Sequence, residues 1–120
     1  MIERVVAESR VLAGAERPFD EAAVRALVER DVARADRFAS TRNHAELEGG
    51  EPSRHRLGAI AVPTLVIHGT ADPLFPIAHG EALAEEIPGA RLMRLEGAGH
   101  GLERADHDAV ARAILAHTGG

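Results

Sequence analysis

Apolar positions along this chain follow two rhythms, and the change between them divides it near residue 57. Before that point the spacing is helical. Ile2, Val5, Val6 and Leu12 fall on roughly one face, and Gly14 is placed to stop the helix they predict. In PFDEAAVRALVERDVARAD, Asp20 is a candidate N-cap, with Phe19 and Val24 at the two staple positions around it. Val24, Leu27, Val28 and Val32 then predict a second helix. FASTRNHAELEGG is a third helical candidate, ending at Gly49 and Gly50, and residues 48–56 have the composition of a linker.

After residue 57 strand and helix patterns alternate. TLVIHG, residues 64–69, is a short β-branched apolar run of the kind buried on both faces of a sheet. A helix is expected from Pro76, with Ile77, Leu83, Ala84 and Ile87 as its apolar side and Pro88-Gly89 as its end. ARLMRLEG, residues 90–97, predicts a second strand. A last helix follows, capped by Asp106, with Val110, Ile114 and Leu115 on its apolar face and Gly119 just past its end. Strand, helix, strand with so long a connection implies a parallel crossover, hence an α/β fold with helices preceding it.

Composition narrows the function classes. A net charge of −5 argues against a nucleic-acid backbone as partner, which needs a basic face. Aromatic residues are 2% of the chain, too few for a base-stacking platform. Without cysteine there is no disulfide, thiolate metal site or cysteine nucleophile in these residues, which fits a reducing compartment. No apolar run approaches the ~20 residues of a membrane span, and the N-terminus lacks the apolar centre of a signal peptide. A cytoplasmic protein without membrane contact is the expectation.

Two residues then stand out. Asp72 lies three positions past Gly69, and His100 three past Gly97. In an open parallel sheet, ligands and reacting groups gather at the carboxyl ends of the strands. If the two strands are neighbours, ~4.8 Å apart, both side chains sit on loops over one sheet edge. A carboxylate there can fix an imidazole tautomer and stabilise its protonated form. Separately each residue has an ordinary explanation. A loop histidine is commonly just solvated, and an aspartate before proline is commonly a turn residue. Together, in this order, they form the acid–base end of a triad.

VPTLVIHGTADPLFP followed by RLMRLEGAGHGLE resembles the C-terminal part of α/β-hydrolase family proteins, most nearly esterase or methylesterase-type members. The resemblance covers about residues 60 to 120. It implies that Asp72 is the family's acid, that His100 is its histidine, and that residues 58–120 are the C-terminal portion of the core. Residues 1–57 correspond by position and helicity to part of the helical cap. The chemistry implied is hydrolysis of a small-molecule ester or similar acyl bond, with no cofactor.

The family's nucleophile elbow, G-x-S-x-G, is missing from these residues: Ser9, Ser40 and Ser53 lie in AESRV, FASTR and EPSRH. No oxyanion loop of the HGGG type is present either. The chain alone is therefore expected to be inactive. Its first strand should also lack a neighbour, because the family's earlier strands are missing. A second copy of the chain, making a homo-oligomer, or a complementing N-terminal half would supply one. The alternative to a hydrolase lacking its nucleophile is a catalytically silent remnant acting as an oligomeric or binding module.

Seven histidines raise the question of metal, but no HExxH or comparable spacing occurs. His68, at the strand end, is expected to be buried packing. His44, His55, His79 and His117 are expected at the surface. Leu74, Phe75 and Pro76 are candidates either for a pocket mouth or for contact with the cap, and the helix over Val24 to Val32 either for a lid or for simple packing.

Overall fold

A computed structural model describes residues 1–119, the side chains at positions 39, 42 and 45 excepted. Helices α1 (Ile2–Leu12) and α2 (Glu21–Arg34) pack on one another, with Val6 and Val28 as their buried residues. Gly14 turns the chain out of α1 with a φ of 77°, as its position predicts. The Asp20 side chain accepts from the Ala23 N–H at 3.0 Å and caps α2.

The third helical candidate is instead a 3₁₀ segment, Phe38–Glu46. A physical reason is local. The Ser40 and Thr41 hydroxyls donate to the carbonyls of Arg37 and Phe38, three residues back, which favours the tighter winding. The predicted linker is partly ordered too, since a 3₁₀ segment begins at Arg54 (Arg54–Ala59). Arg54 Nε donates to Glu86 at 2.9 Å and ties this segment to the helix expected from Pro76.

Strand β1 (Leu65–Gly69), helix α3 (Ile77–Glu86), strand β2 (Arg91–Leu95) and helix α4 (His107–Thr118) form the second part. The strands are parallel, in register from Leu65 opposite Arg91 to Gly69 opposite Leu95. Leu95, Ala98 and Val110 form its buried cluster, with Ile67 and Met93 packed against it. Gly119, with a φ of 71°, ends α4. Asp106 does not act as the side-chain cap predicted for it, because its carboxylate is taken by Arg17. That ion pair, distant in sequence, outcompetes the local cap.

Among the described residues β1 pairs only with β2, so its other edge is open. Leu83, Ile114, Phe75 and Leu102, each more than a third exposed, line one cleft with Ile67, His68 and Gly69 of β1. The chain exposes 8744 Å², against roughly 6,200 Å² for a folded monomer of this mass. Its radius of gyration is 16.5 Å, against about 13.6 Å for a folded domain of this length. Both numbers describe a less compact arrangement than is usual for a folded domain of this size. No described helix is long and apolar enough to cross a membrane.

Candidate active site

The carboxyl ends of β1 and β2 are laced together. Thr70 N–H donates to the Leu95 carbonyl and Ala71 N–H to the Ala98 carbonyl, both at 3.0 Å. In return Gly97 N–H donates to the Thr70 hydroxyl at 2.8 Å. Gly97, with a φ of 70°, lets the chain leave β2 in the left-handed region. The loop carrying Asp72 and the loop carrying His100 are thus bonded to each other before either side chain is considered.

Asp72 is held at both oxygens. Oδ1 accepts from the Leu74 and Phe75 N–H groups at 2.8 and 2.9 Å, an Asx-turn arrangement. Oδ2 lies 2.8 Å from His100 Nδ1. A carboxylate can only accept, so Nδ1 carries the proton and Nε2 is left to take one. The Asp72 side chain is 5% exposed and that of His100 35%. Burial raises the Asp72 carboxyl, but the Phe75 N–H, the His100 imidazole and the Leu74 N–H outweigh it and hold it below the usual carboxylate range.

A depressed carboxyl couples to stability with a definite sign. Unfolded, Asp72 should titrate at about 3.9, above its folded value, so the unfolded chain binds the proton more readily. Its contribution is fully present above about pH 5 and is lost as pH falls through the folded value. In urea titrations over pH 2.5 to 5, the stability difference between wild type and Asp72→Asn is expected to shrink as the pH falls below about 4. A difference that grows on acidification would contradict this assignment.

His68 is nearly buried, 12% exposed at the side chain, as expected of it. It also has a role that the sequence reasoning missed. Its Nε2 donates to the Phe75 carbonyl at 2.8 Å and lies 3.8 Å from Asp72 Oδ2, bracing the acid loop from below. The ring fits because Gly80 of α3 has no side chain; a Cβ there would come within 2.9 Å of His68 Nδ1. The available signal was a polar residue in an otherwise apolar strand. His79 is exposed, as expected, yet its ring lies 5.7 Å from that of Phe75. Phe75 also lies 5.5 Å from the His100 ring, so of the residues after the acid it is Phe75 that faces the histidine.

A cleft of about 730 Å³ opens over His100, Asp72 and Phe75 and runs down beside β1 to Leu83, Val110 and Ile114. Ile67, His68 and Gly69 of β1 line it together with the candidate site. No serine lines it among the described residues. The Ser9 and Ser40 hydroxyls are bonded to the carbonyls of Val5 and Arg37. A separate groove between α2 and the His100 loop is lined by Val24, Leu27 and Leu102, while Val28 is buried. The second helix therefore has one residue in packing and others facing a groove. No group of described histidine and carboxylate residues is arranged to hold a metal ion. What the arrangement can do chemically is accept a proton at Nε2 of an oriented imidazole and stabilise the cation that results.

Comparison with known proteins places this geometry. Residues 16–102 match the family described as the α/β hydrolase fold. The chain is 36% identical to the rhodomycin D methylesterase DauP of Streptomyces sp. (strain C5) over 119 residues, which is 98% of this chain and 40% of that protein. It is 35% identical to the rhodomycin D methylesterase DnrP of Streptomyces peucetius over the same shares of each. In three dimensions it is similar to the bromoperoxidase of Bacillus anthracis, with a TM-score of 0.76 and 21% identity over 99% of this chain and 44% of that one. The chain thus spans about 40% of the length of the curated relatives it matches. On a match across most of its residues, and on acid and histidine loops at the ends of adjacent parallel strands, the chain belongs to the α/β-hydrolase fold family.

Proposed function

We propose that this chain carries the acid and the base of a serine-hydrolase triad, and that in a complete assembly it takes part in hydrolysis of a small-molecule ester, a methyl ester by analogy with DauP and DnrP. His100 acts as general base and then as general acid. Asp72 fixes its tautomer and stabilises the imidazolium. The serine and the oxyanion donors come from polypeptide outside these 120 residues. In that assembly residues 58–120 form the last part of the core, and residues 1–57 part of its cap. The observation that carries this reading is the Asp72 carboxylate, with one oxygen filled by two backbone N–H groups and the other on His100 Nδ1 at 2.8 Å.

The partner that completes the sheet is a complementing N-terminal portion; a second copy of this chain is the competing occupant. The surface excess of about 2,500 Å² favours a large covering partner of either kind.

The test fuses the part of DauP that this chain does not match upstream of residue 1. Ester hydrolysis, sensitive to a serine-directed inhibitor, is expected from the fusion and not from the 120-residue chain alone. His100→Ala in the fusion is expected to lower it by ~10³-fold or more. Sedimentation should find the 120-residue chain self-associated and the fusion monomeric. A serine-dependent rate from the chain alone, or a fusion indifferent to His100→Ala, would refute the proposal.

A further inference from the structure

Arg17 sits in the connection between α1 and α2, outside every motif that marks the acid or the histidine. Its guanidinium nevertheless lies across the base of the His100 loop. Nε and Nη2 both donate to the Glu96 carbonyl, at 2.8 and 2.5 Å. Nη1 and Nη2 bind the two oxygens of Asp106 at 2.7 and 3.1 Å, and Nη1 reaches Glu103 at 3.4 Å. Glu96 is the last residue before Gly97, where the chain turns into the loop. Asp106 is the residue from which α4 starts.

One planar fork therefore fastens the beginning and the end of the loop whose middle holds His100. Asp106 is only 7% exposed and stands beside Glu103, so its carboxylate depends on a cation. The same contacts hold Arg17 strongly protonated, chiefly through its bond to Asp106. The stem of Arg17 packs as well: its Cγ lies 3.3 Å from where a Cβ on Gly97 would be. Close by, the His100 N–H donates to the Leu12 carbonyl at 2.7 Å, at the end of α1. The short stretch from Leu12 to Arg17 thus grips the histidine loop at its middle and at both ends.

We infer that Arg17 is a positioning residue for His100: by fixing the backbone at Glu96 and Asp106 it sets where the imidazole stands against Asp72. The inference rests on the reading of Asp72 and His100 as a working acid–base pair. A point charge would not replace the fork, because a lysine ammonium cannot bind the Glu96 carbonyl and both Asp106 oxygens in one plane.

Proton and nitrogen NMR of the full 120-residue chain tests this at the imidazole itself, without any substrate. The wild-type chain is expected to give a solvent-protected His100 Nδ1–H resonance, assigned by its loss in Asp72→Asn. Arg17→Lys should speed exchange of that proton at least tenfold. Arg17→Gln combined with Asp106→Asn, which leaves no unpaired buried carboxylate to unfold the chain, should do the same. Val28→Ala weakens the fold away from the loop and reports what lost stability alone does; it should change the exchange by less than threefold. Exchange in Arg17→Lys within twofold of wild type overturns the inference, as does an equal acceleration by Val28→Ala. A wild-type chain without the bonded proton overturns the acid–base pair, and the inference with it, whereas a bonded proton indifferent to Arg17 overturns the inference alone.

Discussion

Asp72→Asn in the fused protein is expected to cut ester hydrolysis by ~10⁴-fold while the fold survives. The geometry separates those two outcomes. An asparagine oxygen can still accept from the Leu74 and Phe75 N–H groups, so the loop keeps its turn. The other arm becomes an NH₂ group, 2.8 Å from His100 Nδ1 in place of an oxygen. Two donors cannot face each other, so the imidazole must move its proton to Nε2. That nitrogen then cannot accept the proton of a nucleophile, and no carboxylate remains to stabilise an imidazolium. The loss should appear in kcat more than in KM, because Asp72 acts on a proton and not on ground-state binding. Steady-state kinetics with circular dichroism as the fold control would measure it. A loss below about tenfold would mean that Asp72 only shapes its loop.

A large effect on stability is expected at Gly99. A Cβ there would lie 2.2 Å from the Leu12 carbonyl oxygen and 2.4 Å from that of Ala13. Those are backbone atoms at the end of α1 and cannot swing aside as a side chain could. Gly99→Ala must therefore push α1 off the loop and break the bond from His100 N–H to Leu12. Overpacking of this kind costs about 3 kcal/mol or more, a large share of the stability of a small domain. At Gly101, two residues on, an added Cβ meets nothing within 4 Å and the φ is not positive. Gly101→Ala is therefore expected to change stability by less than about 0.5 kcal/mol. Urea midpoints of the two variants decide the matter, and equal effects would refute the packing account.

The three glycines of GAGHG also mark where sequence reasoning stops. They form one pattern in the sequence, a loop with little side-chain crowding. In the structure Gly97 is needed for its φ, Gly99 for the approach of another backbone, and Gly101 for neither. The positions of Asp72 and His100 were legible because the rule behind them is topological. Adjacent parallel strands bring their carboxyl ends together whatever the loops contain. The helices were legible where an apolar face or a cap is local, as at Asp20 and Gly14. Reasoning failed where a distant partner decides. Asp106 has the position of a helix cap, and nothing near it in sequence announces that Arg17, 89 residues away, will take its carboxylate. His68 looked like packing because its hydrogen bond depends on how the following loop folds back over the strand.

Only 28 positions separate Asp72 from His100, and most are spent in one helix and one strand that bring the ends back together. The entropy of closing a loop rises slowly with its length, so joining these two loops adds little to the cost of folding the crossover itself. Asp72 and His100 are thus brought together by a single supersecondary unit, whose histidine loop is gripped by Leu12 and Arg17. Any break in the polypeptide upstream of α1 leaves them together on one piece. On the function proposed above, a hydrolase divided upstream of α1 would keep its acid and base on one piece, and a strand edge and a nucleophile would have to be restored across the division.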